Sequence, residues 1–147
     1  MTENSPRILS PLNECVILAT ICGRSLFHGQ QYNMSCLYGE TTPNWLEKHR
    51  WLDDILTNRL QILSQYYASS TDSCDPMILF ANIMAQATVI SLFTAMESVM
   101  WASNEEKMAV EKYQQRAALA AEELVRLAKA LTEFHIFKVR PNYHIPC

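Results

Sequence analysis

The stretch EKHRWLDDILTNRLQIL, residues 47–63, separates leucines from charged residues with the period of an α-helix. The apolar positions of this segment and its flanks recur at helical spacing: Trp45, Leu52, Leu56, Leu60, Leu63 and Tyr67. The polar positions fall on the opposite side: Glu47, Arg50, Asp54, Thr57, Gln61 and Gln65. Apolar residues in this pattern form the buried face of an amphipathic helix. The stretch therefore predicts a helix from about Pro43 to Tyr67 that packs against partner helices.

The composition of the whole chain favours helices over sheet. The 147 residues match the size of one ordinary domain, and 49% of them are hydrophobic. Only three glycines occur, and none follows Gly39. Sheet proteins need turn-forming glycines at short intervals. The sequence therefore predicts an all-α fold.

Four helix starts share a recognisable chemistry. Ser10-Pro11, Thr42-Pro43 and Asp75-Pro76 each place a capping side chain before a proline, which is tolerated at the first helical position. The fourth start, Ser103 to Glu106, is a capping box. These signals predict a bundle of about four long helices with no sheet, formed by residues 10–136 between tails at 1–9 and 137–147.

The other three helices are predicted from their apolar patterns. The first runs from about Pro11 to His28, before a loop over residues 30–41, and its predicted buried stripe is Leu12, Cys15, Val16, Ala19, Cys22 and Leu26. The third, from about Pro76 to Ala102, is apolar nearly all round, which is typical of a central helix. The fourth carries a seam at steps of three and four: Val110, Tyr113, Ala117, Ala120, Leu124, Leu127, Leu131 and Phe134.

The third helix is long enough to cross a membrane, but several polar residues interrupt it, including Asn82, Gln86 and Glu97. We therefore expect no membrane span. The N-terminus shows no apolar signal-peptide core, and the five cysteines form no CxxC pair. These features predict an intracellular protein, nuclear or cytoplasmic, with reduced thiols.

Signatures of catalysis are missing from the sequence. It shows no glycine-rich phosphate loop, no nucleophile elbow and no spaced set of metal ligands, so we expect neither an enzyme nor a cofactor or metal. The net charge of −3 and the pI near 5.8 argue against direct DNA binding by this chain.

Two polar residues fall within the apolar face of the second helix. Arg59 must reach solvent or pair with an acid, and Glu97 and Glu14 are the candidate partners. His49 is interpreted as a core histidine whose hydrogen bonds are satisfied. Three positions are therefore predicted to be buried and polar: His49, Arg59 and Glu97. Their alternative role, in place of a structural one, is contact with an effector.

Four segments together resemble a known family. They are SPLNECVILATICGRSLFHG, WLEKHRWLDDILTNRLQIL, DPMILFANIMAQATVISLF and EELVRLAKALTEFHIFKVRPNYHIP. In this order they resemble the middle homology region of fungal zinc-cluster transcription factors, of the type found beside secondary-metabolite gene clusters. The most specific matched positions are Gly23, Arg24, His49, Arg50, Trp51, Asp75 and Pro76.

The resemblance implies an all-helical regulatory region that controls transcription by binding an effector or a protein co-regulator, with a shift between helix packings. The C-x₂-C-x₆-C zinc cluster of such factors is absent, so we expect an internal piece of the regulatory region or a short stand-alone descendant. A non-functional gene fragment is a third interpretation.

A second class of function is a small helical binding protein or enzyme that acts on an apolar secondary metabolite. Its pocket between helices would use apolar and aromatic residues: Cys15, Met84, Phe93, Trp101 and Tyr113. The long seam of the fourth helix also predicts exposed apolar surface, and hence homo-oligomerisation through the third or fourth helix.

Overall fold

The computed structural model describes residues 10–38, 42–69, 75–99 and 103–138. Four helices account for nearly all of them: α1 (Pro11–Tyr38), α2 (Thr42–Ser69), α3 (Pro76–Glu97) and α4 (Asn104–Lys138). No strand occurs within these ranges. The prediction of an all-α bundle of four long helices without a sheet is therefore confirmed. The expected tail over residues 1–9, and residues 139–147 of the C-terminal tail, lie outside the described residues.

Asp75 and Ser103 form the capping bonds that the sequence predicts, whereas the Thr42 side chain lies outside the described residues. Asp75 Oδ1 accepts a hydrogen bond from the Met77 backbone N–H at 2.8 Å. At α4, the Ser103 hydroxyl accepts from the Glu106 N–H at 3.2 Å, and Glu106 Oε2 accepts from the Ser103 N–H at 3.0 Å. These contacts satisfy backbone donors that a helix start otherwise leaves without partners.

Helix α1 continues ten residues beyond its predicted end at His28, so the predicted loop over residues 30–41 is wrong for residues 30–38. The predicted loop rests on Asn33 and Gly39 as turn residues, and Asn33 lies inside the helix. Gly29 also lies inside it. A glycine inside a helix costs about 1 kcal/mol relative to alanine, which other contacts can offset. A Cβ atom added at Gly29 would lie 3.5 Å from the Cβ of Ala95, so this position is one where α1 and α3 approach closely.

Helix α3 is shorter than predicted, because it ends at Glu97 rather than near Ala102. Ser98 caps its C-terminus: the Ser98 N–H donates to the Thr94 carbonyl, and the Val99 N–H donates to the Met96 carbonyl. By length and composition α3 is also the one helix of the described residues that could cross a membrane, with a mean hydropathy of 1.7. However, α3 also packs closely against all three other helices. A helix in the centre of a bundle is apolar nearly all round, so this position explains its composition.

The helices alternate in direction. Helices α1 and α3 run parallel, since Cys15 contacts Met77 at one end and Gly29 lies beside Ala95 at the other. Helix α2 runs antiparallel to α1, and side-chain contacts between the two connect residue 14 with residue 59 and residue 28 with residue 45. Helix α4 packs closely on α3, whereas the α2 and α4 backbones do not approach each other within the described ranges.

The main core lies between α1, α2 and α3, and of the predicted stripe of α1 it buries only Cys15. Leu12, Val16 and Leu26 are each more than half exposed. The buried positions of α1 are Glu14, Cys15, Leu18, Ile21, Ser25 and His28. Apolar residues occur on both sides of α1, so periodicity alone does not select the side that faces α2 and α3.

The predicted faces of α2 and α4 agree with the structure where it describes them. Trp45, Leu52, Leu56 and Leu63 are buried, and the polar side of α2 is exposed. Ala117, Ala120 and Leu127 of the α4 seam are buried, and Leu131 at its end is 36% exposed. Tyr67 and Phe134 lie among positions whose side chains the structure does not describe.

Candidate functional site

Two histidines from different helices meet inside the bundle. His49 Nδ1 of α2 lies 3.2 Å from His28 Nε2 of α1, which is hydrogen-bond distance. Trp45 stacks on the His28 ring with centroids 4.4 Å apart, and its indole N–H donates to the His28 backbone carbonyl at 3.1 Å. The Tyr113 ring of α4 packs edge-on against the His49 ring, with the ring centroids 5.4 Å apart, and completes the cluster. The sequence assigned His28 no companion, because the two histidines are 21 residues apart.

Both imidazoles are held in the neutral form. Burial lowers the pKa of His28 from 6.5 to about 4, and the nearby Lys48 ammonium contributes in the same direction. Burial also lowers the pKa of His49 to about 4, helped by His28 and opposed by Asp53. His49 Nε2 is buried and has no hydrogen-bond partner among the described residues. The prediction of a fully satisfied core histidine is therefore wrong for this one nitrogen.

A carboxylate on α2 connects this cluster to α4. Asp53 Oδ2 accepts hydrogen bonds from the Tyr113 hydroxyl at 2.8 Å and from Arg116 Nη1 at 2.9 Å, and Asp53 Oδ1 accepts from Arg116 Nη2 at 2.8 Å. Burial and the hydrogen bond to Asp53 raise the pKa of Tyr113 above its ordinary value. The hydrogen bond to Asp53 likewise raises the pKa of Arg116. These side chains join two helices whose backbones stay apart.

The sequence pattern assigns no role to Asp53 or Arg116, and it places Tyr113 in the apolar seam of α4 and among the candidate pocket residues. No local signal reveals the contact, because Asp53 and Arg116 are 63 residues apart. An arginine beside the seam of α4 and an aspartate beside the apolar face of α2 are both common on solvated surfaces.

A groove opens to solvent between α1 and α2, on the other side of His28. We call it the α1–α2 groove, and its volume is about 230 Å³. Its lining consists of Arg24, Phe27, His28, Gln31, Lys48, Trp51 and Leu52. The Arg24 guanidinium lies over the Trp51 ring, 5.9 Å from its centroid. The rim therefore combines two cations with two exposed aromatic rings, and the floor is apolar and neutral.

Arg59 forms the ion pair that the sequence predicts, and its partner is Glu14. Arg59 Nη1 lies 3.5 Å from Glu14 Oε1, and the Glu14 side chain is fully buried. Glu97, the other candidate, is exposed at the far end of α3. The expectation that Glu97 is a buried polar residue is therefore wrong.

The described residues contain no group of three or more potential metal ligands. Three of the five residues proposed for a metabolite pocket lie in two separate clusters of the described residues. Cys15 and Met84 belong to the core between α1, α2 and α3, whereas Tyr113 packs against the cluster of Trp45 and Met96. Trp101 lies outside the described residues.

Comparison with known proteins identifies the relatives of this chain. The citrinin biosynthesis transcriptional activator of Monascus purpureus is 62% identical over 141 residues, which cover 96% of this chain and 24% of that protein. The chain is homologous to fungal transcription activators of secondary-metabolite clusters. A pigment biosynthesis activator of Monascus ruber is 40% identical over 99% of this chain, and an azaphilone cluster-specific transcription factor of Aspergillus niger is 38% identical over 89%.

The chain spans about a quarter of the length of these activators. No protein-family model and no solved structure matches it. The relatives are transcription factors rather than enzymes, in agreement with the family that the sequence resembles. The comparison assigns no role to an individual residue.

The positions most specific to the activator resemblance have distinct places in the fold. Arg24 and Trp51 meet at the rim of the α1–α2 groove. Asp75 caps α3, with Pro76 as its first residue. Gly23 lies on the exposed side of α1, with no atom within 4 Å of a Cβ added there.

Arg50 is exposed and lies on a different side of α2 from the α1–α2 groove. It borders a second depression of about 320 Å³ between α2, α3 and α4. The depression also contains Leu46, Met96, Ser103, Glu105, Glu106, Ala109 and Tyr113.

Proposed function

We propose that this chain is part of the regulatory region of a fungal transcription activator for a secondary-metabolite cluster, and that it acts by binding an effector or a co-regulator. The observation that carries the proposal is the 62% identity with the citrinin activator over 96% of this chain. At that identity, we expect the matched segment of the citrinin activator to have the same helical fold.

The geometry supports a binding role rather than catalysis or DNA reading. The α1–α2 groove is open and combines aromatic rings with cations, a composition typical of binding surfaces. The histidines that could act in proton transfer are buried: His49 is fully buried, and His28, in the floor of the groove, is 3% exposed. The net charge of −3 opposes the phosphate contacts that dominate DNA affinity. On this proposal the protein acts in the nucleus and contacts DNA through another part of the factor.

A segment exchange tests the proposal. In a Monascus purpureus strain, the matched segment of the citrinin activator would be replaced by this chain, or deleted. We expect the exchanged factor to sustain transcription of the citrinin genes. We expect the deleted factor to occupy its promoters, measured by chromatin immunoprecipitation, without activating them.

Loss of promoter occupancy on deletion would contradict the proposal, because it would assign DNA binding to this segment. An exchanged factor that accumulates normally but fails to activate would also contradict it. Immunoblotting in each strain separates loss of function from loss of protein.

A further inference from the structure

The α1–α2 groove has a chemistry that no residue role assigned so far explains. Phe27 is 61% and Trp51 is 51% exposed, although aromatic rings of this size normally contribute large buried areas. Arg24 and Lys48 flank them, and among the described residues no acidic side chain lines the groove. The groove is therefore a local site of positive charge and apolar surface on a chain of net charge −3.

We propose that the α1–α2 groove docks an acidic amphipathic helix of a protein co-regulator. The inference rests on the proposed function and names the partner class for it. Arg24 and Lys48 carry positive charges that complement carboxylates on the partner. His28 adds no charge to the floor because its pKa is lowered to about 4. Exposed tryptophan and arginine are also the residue types that contribute most to binding energy when a partner covers them.

The size of the groove favours a peptide over a small metabolite. Its volume of about 230 Å³ is below the roughly 300–1,000 Å³ of sites that enclose small ligands. A volume of this size offers room for about one anchoring side chain beside the exposed rings of Phe27 and Trp51. The carboxylates of the partner would remain at the rim, beside Arg24 and Lys48, where water still reaches them.

The surrounding structure favours a helix as the form of that peptide. The groove is bounded by two helices whose backbone groups are already paired, so an extended strand would find no free edge for backbone hydrogen bonds. A helix in a groove between helices instead uses side chains at positions three and four apart. Negative residues on either side of one apolar anchor on such a helix match the cations of α1 and α2.

A designed peptide tests this inference on the full chain. The probe is an alanine-based fluorescent helix with a central phenylalanine and glutamates at three and four residues on either side. One comparison peptide carries lysines in place of the glutamates, and another carries alanine in place of the phenylalanine. Fluorescence anisotropy at about 50 mM and about 150 mM salt measures the affinity, which should fall with salt because the rim contacts are exposed.

We expect the acidic peptide to bind at least tenfold more tightly than either comparison peptide. Arg24→Glu, Lys48→Glu and Trp51→Ala should each weaken binding about tenfold or more, since truncation of a central aromatic or arginine commonly has that effect. Two matched variants should change affinity less than about twofold. Lys112→Glu makes the same charge change at an exposed site on α4, and Phe80→Ala removes a ring that is 51% exposed, as Trp51 is.

Equal binding of the acidic and basic peptides would overturn the inference. So would equal losses in groove and control variants, or binding of a small aromatic acid without binding of the peptide. These failures differ from failure of the proposed function, because the segment exchange can succeed while the acidic peptide does not bind. Circular dichroism of each variant verifies that the exposed substitutions leave the helices intact.

Discussion

The side-chain connection between α2 and α4 makes a prediction that a double-mutant cycle can test. The two backbones do not approach each other among the described residues, so Asp53, Tyr113 and Arg116 form the polar link between these helices. The perturbation is Tyr113→Phe, which removes only the hydroxyl, combined with Asp53→Ala, which removes its acceptor.

The structure sets the expected magnitudes. The Tyr113 hydroxyl donates to a carboxylate that is 15% exposed, and hydrogen bonds to charged groups contribute about 1.5–3 kcal/mol. Tyr113→Phe should lower the free energy of unfolding by that amount. Asp53→Ala removes the acceptor of this hydrogen bond, so it should cost at least about 1.5–3 kcal/mol. Arg116 is 37% exposed, so water and salt screen its share of the interaction.

The two substitutions should not be additive. Once Asp53 is removed, the Tyr113 hydroxyl loses its acceptor, and Tyr113→Phe should then cost little. We therefore expect a coupling energy of about 1.5 kcal/mol or more, well above the roughly 0.3–0.5 kcal/mol seen between independent sites. Urea unfolding followed by circular dichroism measures all four free energies.

Glu123→Gln provides the control for this cycle. It breaks the ion pair with Arg126 on the exposed surface of α4, which should contribute only about 0.2–0.5 kcal/mol. Additive effects of Tyr113→Phe and Asp53→Ala, or single losses as small as that of the control, would refute the conclusion that these side chains join α2 to α4.

Three further predictions follow from burial and exposure. Below pH 6.5 the imidazoles of the unfolded chain bind protons, whereas the buried His28 and His49 rings do not. The contribution of the two rings to the free energy of unfolding is therefore fully present above pH 6.5 and is lost as the pH falls. It should fall by about 1.4 kcal/mol per pH unit for each ring as the pH drops to about 4. Urea unfolding at several pH values measures this slope, and a His28→Gln variant with an undiminished slope would contradict it. Gly23→Ala on the exposed side of α1 should raise the free energy of unfolding by about 0.5–1 kcal/mol, because alanine restricts the unfolded chain and no neighbour clashes; a lower melting temperature would contradict this. Leu127→Glu should cost several kcal/mol because it buries a carboxylate at a position 1% exposed, whereas Leu131→Glu at a position 36% exposed should be nearly neutral; equal melting temperatures of the two variants would contradict the burial of Leu127.

The exposed apolar residues bear on the prediction of self-association. Within the described ranges α1 carries the largest number of them: Leu12, Val16, Leu26, Phe27, Met34 and Leu37. Helix α4 carries fewer, and they include Leu119 and Val125. Homo-oligomerisation through α3 or α4 stays a prediction, and α1 offers a further apolar surface for such a contact.

The sequence by itself determined the helices and the faces of two of them. The caps at Asp75 and Ser103 act through backbone groups one turn away, so their effect is local and can be read directly. The apolar face of α2 was predictable because leucines occupy one side and charges the other. The family was also predictable, since it depends on the order of residues along the chain.

The tertiary structure decided the rest, because the deciding contacts join residues far apart in the chain. Helix α1 is apolar on more than one side, and only its packing against α2 and α3 selects Leu18 and Ile21 over Leu12 and Val16 for burial. The same packing lets α1 continue through Gly29 and Asn33, although both residue types are common in turns. The candidate site depends on these choices, since Arg24 meets Trp51 only because that side of α1 lies against α2. Helical periodicity states which residues share a face, and the free energy of burying that face against particular neighbours determines which face turns inward.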